Sequence, residues 1–193
     1  ARDVGALEST FTSALVTNTN AYYVDDGSDA GDLYTPCAVG NDANDGKTPY
    51  SPKKSVTNLL STYDMGPGKK VFIDVGVYTQ YVRVLAGDGD GTVASPMQYV
   101  GPTNGGGAAV FQGGGGILDG WYMTNSVNAI LRSIVVRGHS YGVRILGVST
   151  NNEIRGNTFR SNDFAGAYWG GAGVDGNRIV SNTIDSGSSG TFQ

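Results

Sequence analysis

The residues able to do chemistry in this chain fall into a few groups. The loop GNDANDG offers Asn41, Asp42, Asn44 and Asp45 within five residues and closes on Gly46. GDGDG offers Asp88 and Asp90. Hard cations take oxygen ligands from short Asx-rich turns of this kind, so calcium is the cofactor to consider; neither loop has the twelve-residue EF-hand form. The competing reading is plain Asx-turn chemistry, in which the side chain bonds its own backbone and no metal enters.

Catalytic constellations are harder to find. His139, in RGHSYG, is the only histidine. General acid–base work often uses histidine, but spacing gives this one no partner, and it reads as structural or exposed. Glycoside hydrolysis needs carboxylates facing one another. The acids of the regular coils are few: Glu153, Asp163, Asp175 and Asp185. Glu153 and Arg160 each lie 25 residues before a residue of opposite charge, Arg178 and Asp185. They are expected as outward ion pairs, and Asp163 and Asp175 as turn residues. No catalytic residue is assigned. A third group is a stripe: GWYM, GVRI and GAYW place Tyr122, Arg144 and Tyr168 at equivalent positions. Such a stripe suits sugar rings or a protein partner; it also suits simple cross-strand packing.

The elements that position these residues follow from composition and repetition. Glycine supplies 31 of 193 residues, roughly twice the usual ~7%. That much glycine disfavours helices. Charged residues make up 16% and aromatics 10%, unlike a disordered chain. A net charge of −4 gives no footprint for nucleic acid, and no apolar run is long enough to span a membrane. Cys37 is the only cysteine, so no internal disulfide forms.

Three segments repeat: NAILRSIV, NEIRGNTF and NRIVSNTI. Their columns are Ile130/Ile154/Ile179, Val135/Phe159/Ile184 and Ser133/Asn157/Asn182, with Gly142/Gly166/Gly190 following, all at 24–25 residues. A unit this short buries its apolar face only by stacking on the next copy. Ile154 then points in, with Glu153 and Arg155 out, and the asparagines form a ladder of side-chain amides. KKVFIDVG and PMQYVGP read as earlier strands, with Ile73 and Tyr99 26 residues apart, and GGAAVFQGGGGILDGWYM as a coil loosened by glycines. Before them, Ser55 is an expected N-cap, with Val56, Leu59, Leu60 and Tyr63 on one helical face and Gly66–Pro67 as the stop.

The stretch YYVDDGSDAGDLYTPCAVGNDANDGKTPYSPKKSVTNLL, followed by GPGKKVFIDVGVYTQ, resembles the entry region of bacterial right-handed β-helix surface proteins of pectate-lyase-like fold. The resemblance covers residues 20–193. It implies an all-β, right-handed parallel β-helix of about five coils with a short N-terminal capping helix. It fixes no activity, because one fold hosts many functions. The expected organisation is an arm at 1–19, an entry region at 20–69 and coils over 70–193.

ARDVGALES, at the N-terminus, resembles the strand that closes such β-helices at their other end. One reading is handover: Asp3, Val4, Gly5, Ala6 and Leu7 lie on the open C-terminal coil of a neighbouring copy, building a filament head to tail. The others are a fragment of a longer tandem protein, a C-terminal end missing from the chain, and an ordinary flexible arm. The sequence thus points to an extracellular or cell-surface structural subunit whose partners are copies of itself. The alternative is a polysaccharide-binding or polysaccharide-cleaving domain.

Overall fold

The computed structural model describes residues 20–114 and 118–185. β1 (Ala21–Val24) leads through a long loop into α1 (Val56–Thr62). The chain then makes repeated passes of three short strands. The first is β2 (Lys70–Ile73), β3 (Gly76–Tyr78) and β4 (Val82–Val84), and the second β5 (Met97–Val100), β6 (Ala109–Gln112) and β7 (Trp121–Thr124). The third is β8 (Ala129–Arg132), β9 (Ile134–Arg137) and β10 (Tyr141–Leu146), and the fourth β11 (Glu153–Arg155), β12 (Thr158–Arg160) and β13 (Ala165–Trp169). β14 (Arg178–Val180) and β15 (Thr183–Asp185) begin another.

Sheet A runs β1-β2-β5-β8-β11-β14, sheet B β3-β6-β9-β12-β15 and sheet C β4-β7-β10-β13. All strand pairs are parallel. The protein is therefore predominantly β, with strands stacked in three parallel sheets around one core. β1 already belongs to sheet A, within the segment read from sequence as an entry region.

Alternation puts Ile154 inside at 1% exposure, with Arg155 exposed. The 128–135 segment, however, sits one residue away from its expected register. Leu131, not Ile130, pairs with Ile154, and Val136, not Val135, pairs with Phe159. A one-residue slip exchanges the two faces of a strand, and Leu131 and Val136 are accordingly buried while Ile130 and Val135 are not. Likewise Val71, not Ile73, pairs with Tyr99.

The corners explain the slip. Ser133, Gly156 and Ser181 share a left-handed backbone, with φ of 61°, 61° and 54°. Ser133 is thus the counterpart of Gly156, not of Asn157. The residue after each corner points inward. There Asn157 Oδ1 accepts the Ile134 N–H at 3.1 Å and Nδ2 donates to the Leu131 carbonyl at 2.9 Å. Asn182 repeats this on Asn157 and Ile154. Asn152 does so on Ala129 and Ser126, and Asn162 on His139 and Val136. The ladder exists, but it is chiefly amide to main chain.

Gly142 and Gly166 occupy one column of sheet C. A Cβ on Gly142 would meet the Gly166 carbonyl oxygen at 2.4 Å and Phe159 at 2.5 Å. Gly190 lies outside the described residues. In α1, the Ser55 hydroxyl accepts the Asn58 N–H, and Val56, Leu59 and Leu60 are buried. The helix stops at Thr62, before Gly66–Pro67, because Tyr63 turns extended and packs on Tyr22.

Candidate functional site

Sheet C brings the expected stripe together. Arg144 pairs in register with Tyr122 on one side and Tyr168 on the other. Arg83, which sequence reading missed, pairs with Tyr122 on the far side. The column therefore alternates Arg83, Tyr122, Arg144 and Tyr168 across four successive strands. Its signal was the match of Val82-Arg83-Val84 to Trp121-Tyr122-Met123: in both, the flanking residues are buried and the middle one faces out.

The guanidinium groups lie against rings. Arg83 and Arg144 stand 5.6 and 5.4 Å from the Tyr122 centroid, and Arg144 stands 5.4 Å from Tyr141. Asp119 pairs with Arg144 at 3.3 Å. Burial raises the Asp119 pKa against the lowering effect of Arg144. Tyr81, Leu118 and Asp119 complete a cleft of about 250 Å³ beside the column. Leu118 and Phe164 are exposed apolar side chains, and Tyr141 stacks on Phe164 and meets Tyr168 at a tilt.

The Asx-rich loop spends its polar atoms on structure. Asn41 Oδ1 accepts the Ala43 N–H, and Asn44 Nδ2 donates to the Pro52 carbonyl. Asp42 takes the N–H groups of Lys54 and Ser55, which ties the loop to the start of α1. Asp45 accepts from Lys47 and Ser51, and these bonds lower its pKa. In the second loop, Asp90 accepts the Gly87 N–H, and burial raises Asp88 to about 6. Among the described residues, no three His, Cys, Asp or Glu side chains are placed together to hold a metal.

His139 is buried rather than exposed, at 4%. It stands where Asn162 stands one pass later, and burial lowers its pKa. Glu153 does pair with Arg178, at 3.7 Å, and also with Arg155 at 3.1 Å. Arg160 and Asp185 share register without an ion pair within 4.0 Å. Asp163 is exposed in a bend, as expected of a turn residue, whereas Asp175 forms an isolated bridge to Thr150. Cys37 is exposed. Residues Asp3 to Leu7 lie outside the described residues. No helix among the described residues is long and apolar enough to cross a membrane.

One acidic group was not anticipated. Val24 and Ile73 are register partners, so the residues that follow them, Asp25 and Asp74, end adjacent strands side by side. Asp74 accepts the N–H groups of Leu33, Tyr34 and Thr35 at 2.7, 2.6 and 2.5 Å, which folds the 32–35 segment over it. The alignment of YYVDDG with VFIDVG was the available signal. Compared with protein-family models, curated proteins and solved structures, the chain matches none.

Proposed function

We propose that the chain is an extracellular right-handed parallel β-helix of pectate-lyase-like fold, about five coils long and capped by α1, that binds an acidic polysaccharide along sheet C. The observation that carries this is the alternating Arg83–Tyr122–Arg144–Tyr168 column. Strands repeat every ~4.8 Å, so the column offers cation and ring alternately along a line. Tyrosine faces suit the apolar faces of sugar rings, and guanidinium groups recognise carboxylates. Asp119 orients Arg144 beside the cleft. The reading is binding; glycoside hydrolysis would ask for a second carboxylate across the bond, and Asp119 is the one that lines this cleft.

The test is calorimetry against a panel of acidic and neutral polysaccharides. Tyr122→Ala and Arg144→Ala should each weaken binding of the acidic ones at least about tenfold, near 1.4 kcal/mol, with unchanged melting. Failure of the parent protein to bind any acidic polysaccharide rejects the reading. Turnover abolished by Asp119→Asn would replace binding with catalysis.

Assembly into a filament is the second reading. In the last described pass Ile179 and Ile184 are only partly buried, whereas Ile154 and Phe159 one pass earlier are at 1% and 0%. A further layer stacked there would cover them, and residues 1–10 of a neighbouring copy are the proposed layer. Deleting residues 1–10 should abolish polymerisation and leave a folded monomer; equal assembly of both forms rejects it.

A further inference from the structure

Burying a carboxylate without a hydrogen-bond donor or a counter-charge is costly. The acidic group at the ends of β1 and β2 contains two carboxylates with buried, orphaned oxygens. Asp25 has no exposed surface, at 0%. Its Oδ2 accepts the Gly40 N–H at 2.8 Å, while its Oδ1 is buried and has no partner. At Asp32 both oxygens are buried and neither has a partner. The neighbouring acids are already satisfied. Asp74 takes the three main-chain N–H groups above, the Thr35 hydroxyl and the Val75 N–H. Asp26 takes the N–H groups of Ser28 and Val77.

The electrostatics point the same way. After burial, the charges acting on Asp32 are those of Asp25, Asp74, Asp26 and Asp29, which together push it up to about 7. Burial is also the leading cause that raises Asp25, to about 6; the main-chain N–H groups of Gly40, Asp26 and Gly27 act against it, and the Asp26 charge adds to it. The charges that shift these two groups are those of other carboxylates. Asp25 ends the strand beside Asp74, and Asp32 precedes Leu33, whose N–H Asp74 accepts, so three orphaned oxygens lie around one carboxylate that is already satisfied.

We propose that Asp25 and Asp32 bind a divalent cation of the calcium type, which joins the 26–40 loop to the ends of β1 and β2. Calcium accepts six to eight oxygen ligands in irregular geometry, including main-chain carbonyls and water, so two carboxylates suffice as its charged ligands. Magnesium needs near-ideal octahedral geometry and suits the place less well. This site is separate from the Asx-rich loop at 41–46, whose side chains are engaged elsewhere.

The experiment is calcium titration of chelator-treated protein by calorimetry at pH 7.5, with melting curves in parallel. One calcium per chain is expected, with an upward Tm shift of at least about 4 °C at saturation. Asp32→Asn should reduce calcium affinity at least about tenfold and lose the Tm shift, whereas Asp45→Asn should keep both. Asp32→Asn removes charge without breaking a protein hydrogen bond. Should it fail to fold, Asp25→Asn serves instead, because its amide oxygen still accepts from Gly40. Absence of calcium binding by the parent protein, or undiminished binding by the folded variant, overturns the proposal.

Discussion

The side chain of Asn157 completes the main chain of Ile134, accepting its N–H at 3.1 Å from one pass away. The same amide donates to Leu131 at 2.9 Å, so one residue satisfies two buried main-chain groups. Asn157→Ala strands both. Each orphaned group costs about 1–3 kcal/mol, so urea unfolding should show a loss of about 2–6 kcal/mol. A loss below about 1 kcal/mol would mean that water replaces the amide.

Register makes a sharper contrast. Leu131 is fully buried and Ile130 faces outward. Leu131→Ala should cost about 2–5 kcal/mol and Ile130→Ala about 1 kcal/mol or less. Thermal melts that rank them the other way would restore the register that spacing alone suggests.

That slip shows what was legible and what was not. The stacked, parallel character was readable because Asn157 and Asn182, and Ile154 and Ile179, keep both type and spacing. The pass before them has Ala129, Ile134 and His139 where the next has Asn152, Asn157 and Asn162. With no asparagine to mark the inward position, Ser133 looks like its equivalent, although it is a corner. The Tyr122–Arg144–Tyr168 stripe was readable because each member stands two residues after a glycine of one column. Arg83 has Tyr81 there instead. The Asp25–Asp32 group was hidden because a loop, not a repeat, brings Asp32 back to β1.

The glycine column is a packing requirement. A methyl group on Gly142 would overlap the Gly166 carbonyl and Phe159, and backbone cannot easily yield. Gly142→Ala should destabilise by about 1–3 kcal/mol or more. Gly66→Ala, where a Cβ would meet nothing within 4 Å, should be neutral or stabilise slightly. Denaturation midpoints of the two variants decide it.

Asp88 makes stability depend on pH. Its folded pKa is raised to about 6, first by burial, against an unfolded value near ~3.9. Between these values the folded state holds more protons than the unfolded one. Its contribution is therefore favourable below about pH 4 and is lost as pH rises towards 6. Asp88→Asn should flatten that part of a stability–pH curve measured by urea unfolding. An unchanged slope would show that Asp88 ionises normally.

The aromatic middle of the stack bears on how the chain first winds up. Trp121 meets Tyr99 and Phe111 edge-on at 5.1 and 5.2 Å, all three wholly buried. Two passes later, Ala167 fills the column that holds Trp121. Val82 must reach 39 residues to find Trp121, whereas Leu131 reaches 23 to find Ile154. Closing the longer loop costs only about 0.5 kcal/mol more. Burying one large apolar side chain returns about 1.5–3 kcal/mol, so side-chain size outweighs loop length. We expect nucleation in the β5–β7 pass and propagation outward in both directions. In a Trp169→Phe background, Trp121 fluorescence should then change in the earliest refolding phase; a change confined to the last phase would place the nucleus elsewhere. On this account the asparagine-rich passes fix the register of a chain whose collapse has already begun.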